Sequence, residues 1–286
     1  MKLGILTCTS IPFLNQNDRP LVTKLKQKNI DVEVVVWDDN AVDWSIFDFL
    51  LFRNTWDYYE KQVTFDNWLK KIQNLGLKTL NAIDVINVNK HKFYLRDLQK
   101  QGITLIPTIF QEKTAKLDLE KIIPKNWSQI IIKPAFSAGS FQTKLFDFID
   151  IDAINFEYQF ITAEKELLLQ PFIPEIKTLG ETSFVFFNKK FSHAVNKKPV
   201  KDDFRIQQQF GGIYSLVEPT EFVLNQAQKI VDTFEENLLY ARVDGIVIND
   251  ELHLMEVELI EPDLYFHLKP SAIDVFVDEI ISVIQP

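Results

Sequence analysis

The sequence predicts an α/β protein, and three observations carry that reading. Apolar runs alternate with amphipathic stretches through roughly the first 85 residues, as strands and helices of a parallel sheet do. Near the other end, residues 241–262 hold two apolar runs split by a polar turn, the pattern of a β-hairpin. A chain of 286 residues can bury a sizeable core and is long enough for about two or three small domains.

Composition narrows the class. A net charge of −9 gives no basic footprint, so a general nucleic-acid binder is not expected and an anionic substrate would need a local positive site. Cys8 is the single cysteine, which excludes an intrachain disulfide and suits a reducing compartment; at the end of an apolar strand it reads as a buried, inert thiol. No apolar run reaches the roughly 18 residues of a membrane span, and the N-terminal stretch turns polar too soon for a signal peptide, so a cytoplasmic location is expected.

In order, residues 3–8 read as a buried strand, Pro20 opens a helix to about Lys28, and 32–37 form a second strand. A third at 47–52 precedes a helix around 65–75 closed by Gly76, and residues 78–80 give a short fourth strand. The functional edge of such a sheet lies at the carboxyl ends of its strands. At one such end stands Arg53-Asn54-Thr55-Trp56-Asp57-Tyr58. The Arg53 guanidinium beside Tyr58 suits recognition of a small carboxylate, although loop packing by Trp56 and Tyr58 fits the same residues.

Residues 89–101 read as one helix stopped by Gly102, 103–106 as a strand before Pro107, and 114–122 as a Lys-rich helical stretch. Lys133 then ends the buried strand 130–134, an expensive place for an ammonium unless an anion meets it. Ser137-Ala138-Gly139-Ser140 follows, small residues whose backbone N–H groups can approach a phosphate, without the Walker spacing. Strand 166–170 leads into Pro171-Phe172-Ile173-Pro174, and Gly180-Glu181 opens a strand to Phe187 that a turn at 188–190 returns through 191–195. A basic segment with Lys197, Lys198, Lys201 and Arg205 precedes Gly211-Gly212, Pro219 begins a helix to about Asn237, and residues 271–284 form a closing amphipathic helix.

In the hairpin, a three-residue loop of Asn249, Asp250 and Glu251 would face Ile248 with Leu252 and set Asp244 opposite Glu256. Glu258 follows on the same face, with Arg242 opposite it. Three converging carboxylates call for a positive group, and a hard divalent cation such as Mg²⁺ fits best. A solvated hairpin with acids on its wet face fits the same residues, and a two-residue turn would move Asp244 to the other face. His91, His193, His253 and His267 lack metal-ligand spacing, and no Gly-x-Ser-x-Gly elbow is present.

The order of these pieces resembles the ATP-grasp superfamily: a strand-end lysine, a small-residue loop, a Gln-Pro-Phe hinge, Gly-Glu, a basic segment with Gly-Gly, then Asp and Glu-x-Glu. Within it the chain is most similar to the glutathione-synthetase-like branch and its cycloserine-biosynthesis ligases, which form a ring amide from O-ureidoserine. Segments that carry this include Val36-Trp37-Asp38-Asp39, the stretch from Arg53 to Tyr58, Lys92-Phe93-Tyr94-Leu95-Arg96-Asp97-Leu98, Asp203-Phe204-Arg205 and Glu258-Leu259-Ile260-Glu261-Pro262.

The resemblance implies an ATP-grasp fold: an N-terminal parallel α/β domain at 1–87, then two α+β subdomains at 88–168 and 169–286 that clamp ATP. Lys92 and Lys133 would hold the α- and β-phosphates, with Ser140 in the loop beside them. Main chain at Phe172 and Ile173, with Gln170, would receive adenine, and Glu181 the ribose hydroxyls. Asp244, Glu256 and Glu258 match the ligands of two Mg²⁺ ions, for which Mn²⁺ could substitute. Arg205 matches the arginine that stabilises the transferring phosphoryl group, with Lys197 as its companion. The implied activity is an ATP-dependent carboxylate–amine ligase working through an acyl phosphate on a small carboxylate or amino acid, with no nucleic-acid or membrane partner. From composition, surface residues among the 24 Phe would mark a homodimer face, although core packing is the expected use of most of them. An ATP-binding module without ligase activity, or a phosphotransferase forming no C–N bond, are the rival readings. The chain departs from the pattern at Glu258, often Asn in glutathione synthetases, at His91, where an acid is expected, and at Asn54, where a serine is expected.

Overall fold

The protein's structure, a computed structural model, describes residues 1–114, 116–200 and 211–285. Its first unit is a parallel sheet in the order β2-β1-β3-β4, built from β1 (Lys2–Thr7), β2 (Asp31–Val36), β3 (Phe49–Asn54) and β4 (Lys78–Leu80). The crossover helices α1 (Arg19–Gln27) and α2 (Gln62–Asn74) complete it, α1 carrying its proline in the first turn, where the missing N–H has no partner to lose. Trp37, Trp44, Phe52, Phe65 and Trp68 fill one face of this sheet edge to face and stacked.

Two helices follow, α3 (Ile83–Asn89) and α4 (Tyr94–Lys100); the single helix expected at 89–101 misses α3 and runs through the break before α4. No Gly or Pro marks the break between them. The Lys92 N–H donates to the Ala135 carbonyl at 2.8 Å, so a tertiary bond holds the chain out of helical geometry and places Lys92 between the two helices.

An antiparallel sheet in the order β5-β8-β6-β7 comes next, from β5 (Ile109–Gln111), β6 (Gln129–Pro134), β7 (Lys144–Asp147) and β8 (Leu167–Pro171). It is backed by the short α5 (Leu119–Ile122), far less helix than the expected 114–122, and by α6 (Ile151–Glu164), with Ile130, Ile132, Leu167, Leu169 and Tyr158 forming its core. The largest sheet, β11-β10-β9-β12-β13, is antiparallel and contains β9 (Glu181–Phe187), β10 (Lys190–Lys198), β11 (Ile213–Val217), β12 (Tyr240–Ile248) and β13 (Glu251–Glu258). Helix α7 (Glu221–Asp232), capped by the Thr220 side chain, and α8 (Ala272–Ile284) pack on it.

The hairpin of β12 and β13 corrects the sequence reading and preserves its consequence. Its turn has two residues, Asn249 and Asp250 at φ 51° and 62°, and Ile248 faces Glu251. A plain ladder would then set Asp244 opposite Met255. A register shift between Asp244 and Gly245 restores the pairs Asp244–Glu256 and Arg242–Glu258. Gly245 permits it, since a Cβ there would lie 2.6 Å from the His253 carbonyl oxygen.

β13 is an edge strand, and side chains close its edge. The Tyr94 hydroxyl donates to the Val257 carbonyl (2.9 Å) and accepts from its N–H (2.7 Å), while the Asn89 amide joins the Val257 carbonyl (2.8 Å) to the Leu259 N–H (3.0 Å). The strand expected at 103–106 reduces to a parallel bridge of Leu105 with Leu254 on the same edge.

Candidate active site

A cleft of about 460 Å³ opens between the two antiparallel sheets, with the carboxyl end of β3 along one rim. It gathers Lys92, Lys133, Ser140, Gln170, Phe172, Ile173, Glu181, Lys197, Tyr58, Asp244, Glu256 and Glu258, residues spread over most of the sequence. Arg205 lies outside the described residues. Arg53 is not among the lining residues: its side chain is fully buried, bonded to Asp18 (3.0 Å) and to the Pro262 carbonyl (3.0 Å). The sequence expectation that it meets a substrate carboxylate gives way to a structural tie between the parallel sheet and the segment after β13. Tyr58 joins both of its readings, lining the cleft while its ring packs 4.7 Å from Phe65 and 5.8 Å from Phe136.

One end of the cleft is apolar. Ile106, Ile131, Ile176, Ile246, Met255 and Phe172 line it, a slot suited to a flat aromatic base. The Phe172 N–H is committed to the Gln129 carbonyl (3.1 Å), whereas the Ile173 N–H donates to no described residue. Gln170 is buried, its amide held by Thr108 (2.9 Å). Glu181 enters from Gly180, whose φ of +78° and a Cβ position 2.7 Å from the Lys197 carbonyl oxygen suit glycine alone.

The other end is a lattice of charge. Arg242 donates from Nε and Nη2 to Asp244 (2.8–3.1 Å) and also pairs with Glu258, so one guanidinium holds two carboxylates side by side. Ser183 donates to Asp244 at 2.6 Å, Lys197 pairs with Glu181 and stands 3.7 Å from Asp244, and Lys92 pairs with Glu256 while donating to the Ser137 carbonyl (2.6 Å). Burial resists ionisation of Asp244, but Arg242 and Lys197 outweigh it and hold that carboxyl near 2. Burial pushes Glu258 up to about 7, with Asp244 and Glu256 adding to the rise against the pull of Arg242.

Lys133 differs from the other cations. Half-buried at the end of β6, it makes no hydrogen bond or ion pair with any described residue, and burial pulls its ammonium down to about 8. Among the described residues no group of three acidic, His or Cys side chains is arranged as a ready cation cage, because the hairpin carboxylates are turned onto Arg242 and Lys92. The sequence reading placed Arg242 opposite Glu258 but missed its grip on Asp244; two residues apart on a strand, the pair could have been read as sharing a face.

This three-sheet arrangement is the ATP-grasp fold. Over its whole length the chain superposes on the whole of the crystal structure of D-cycloserine synthetase DcsG with a TM-score of 0.89 at 21% identity. Residues 3–81 match the family model for the N-terminal domain of D-cycloserine synthetase DcsG. In sequence the chain is 25% identical over 205 residues to the cycloserine biosynthesis protein DcsG of Streptomyces lavendulae, covering 68% of each chain. It is 26% identical over 225 residues to a glutathione synthetase of Bradyrhizobium diazoefficiens, covering 76% of this chain and 66% of that one. The chain is thus similar both to DcsG and to a glutathione synthetase. No helix among the described residues is long and apolar enough to cross a membrane.

Proposed function

We propose that the protein is an enzyme, an ATP-grasp ligase that joins a carboxylate to an amine through an acyl phosphate and releases ADP and phosphate. The observation that carries this reading is the Lys133 ammonium, without a partner among the described residues, in a cleft whose facing wall bears Asp244, Glu256 and Glu258. An anion beside Lys133 removes the penalty of a half-buried unpaired charge. In this reading residues 1–87 form the N-terminal domain, and 88–168 and 169–286 are the two halves that hold ATP between them.

Adenine lies in the apolar slot against Ile173, and Glu181 accepts from the ribose hydroxyls. Lys133 and Lys92 meet the α- and β-phosphates, with the loop at Ser140 beside them. Asp244, Glu256 and Glu258 offer hard oxygen donors, and the cations now paired with them are ones that phosphates attract, so the set fits two Mg²⁺ ions, or Mn²⁺. Bound there, the metal would neutralise charge on the β- and γ-phosphates. Arg242 keeps Asp244 and Glu258 adjacent, and Tyr58 narrows the substrate end.

The substrate carboxylate attacks the γ-phosphorus in line, ADP leaves, and an amine then attacks the acyl phosphate and expels phosphate. The protein supplies position and fixed charge, with Arg205 and Lys197 acting where negative charge develops. The amine belongs to a second small molecule or to the same one, which then closes to a ring. A cytoplasmic setting suits the buried lone thiol of Cys8.

The test is Glu256→Gln, assayed as phosphate release from MgATP over a panel of D- and L-amino acids and their ureido derivatives. Loss of an electrostatic contact made to the transferring group should lower turnover on the order of 100-fold. The Gln carbonyl still accepts from Lys92, so the melting temperature should fall by no more than the equivalent of about 1 kcal/mol. Undiminished turnover sinks the assignment. A stable phosphorylated product in place of a new C–N bond, read by mass spectrometry, would instead identify a phosphotransferase.

A further inference from the structure

The carboxylates lining the cleft are satisfied one by one, with a single exception among the described residues. Asp244 and Glu258 lie on Arg242, Glu256 on Lys92 and Glu181 on Lys197, and the Asp263 carboxylate accepts from the Tyr265 N–H at 2.8 Å. Glu261 is 8% exposed, lines the same cleft, and its carboxylate makes no hydrogen bond or ion pair with any described residue. A buried carboxylate is unstable without a counter-charge, and Lys92, whose charge acts on it, is already committed to Glu256 and the Ser137 carbonyl.

The place of Glu261 in the fold tells which cation suits it. Trp56 Nε1 donates to its main-chain carbonyl (3.0 Å), which ties the residue to the carboxyl end of β3, and the rings of Trp56, Tyr58 and Tyr59 line the adjoining wall. A divalent metal asks for several oxygen donors, whereas one carboxylate among aromatic faces is the environment of an organic ammonium. Resting on the ligase reading, we propose that Glu261 binds an ammonium group of the substrate, so that the acid activated in this cleft is one that carries an amino group. A nitrogen held in this way is protonated and cannot attack, so it is a recognition group. The nitrogen that forms the new bond is a different one.

The experiment compares wild type with Glu261→Gln in MgATP-dependent phosphate release. The probes are alanine, serine and O-ureidoserine of both hands, each set against its counterpart with hydroxyl in place of the amino group. In wild type the amino acids are expected to support release and the hydroxy acids to fail. In Glu261→Gln the KM for the active amino acid should rise about tenfold or more while the KM for ATP holds, the loss expected of a charge-assisted hydrogen bond. Burial, with Glu258 beside it, pushes the Glu261 carboxyl well above its ordinary range, so the neutral glutamine should leave the melting temperature without substrate unchanged or raised.

Hydroxy acids that work as well as amino acids, a substrate KM unchanged in the variant, or a lowered melting temperature would each overturn the role of Glu261 and leave the ligase reading standing. If no probe of either kind releases phosphate although MgATP raises the melting temperature, the ligase reading falls and this inference with it.

Discussion

Replacing Lys133 by Met removes the one cleft ammonium that, among the described residues, has no partner, and the structure sets the direction of two separate effects. Burial lowers this group from its ordinary 10.5 to about 8. At neutral pH the folded protein therefore holds a proton that the unfolded chain holds more comfortably. A displacement of that size corresponds to ~3 kcal/mol, and partial exposure of the side chain reduces it to about 1–2 kcal/mol. Lys133→Met should raise the melting temperature at pH 7 by about 2–4 °C per kcal/mol recovered.

The sign follows from proton binding. Between about 8 and 10.5 the unfolded state binds more protons than the folded one, so wild type gains stability relative to the variant as pH rises through that window. The second effect is opposite. MgATP should stabilise wild type strongly and the variant far less, because a charge-assisted bond to phosphate is worth ~1.5–3 kcal/mol. Thermal melts at pH 7 and pH 9.5, with and without MgATP, measure both. A variant less stable than wild type without nucleotide, or one that keeps the full MgATP-dependent rise, would refute the argument.

Tyr94→Phe strips the edge of β13 of both bonds to Val257. The Val257 N–H is left without a partner while its carbonyl keeps the Asn89 amide, and urea denaturation should show a loss of about 1–3 kcal/mol. His193 is buried between Ser192 and the Leu264 carbonyl, and burial holds it near 4. Its contribution is complete above its ordinary 6.5 and is lost as pH falls toward 4, by at most ~3 kcal/mol. His193→Gln should flatten the difference in melting temperature between pH 4.5 and pH 7.

What was legible in the sequence depended on where its determinants lie. The parallel sheet was readable because apolar runs, Pro20 and Gly76 act locally. The carboxylate pairing in the hairpin was reached from the wrong turn, because a bulge beside Gly245 restores the register that a two-residue turn shifts. Lys92 could not be seen outside a helix, since the bond that breaks the helix comes from Ala135, far along the chain. Helix α6 left no clear stripe: Phe156 and Phe160 are exposed on it alongside its buried residues, so its pattern carries no clean period. Arg53 has the same composition of neighbours whether it faces substrate or core. Only the fold reveals Asp18 beneath it.

The pairing of Arg242, Lys92 and Lys197 with the cleft acids bears on selectivity among nucleotides. A bare triphosphate would draw those cations off and strand four acids in a poorly hydrated place. One that arrives already complexed to magnesium brings a replacement for each displaced partner, so every charge in the assembled site is matched. On the proposed function, such a cleft would discriminate against uncomplexed ATP by electroneutrality, before any contact with the base or the sugar is considered.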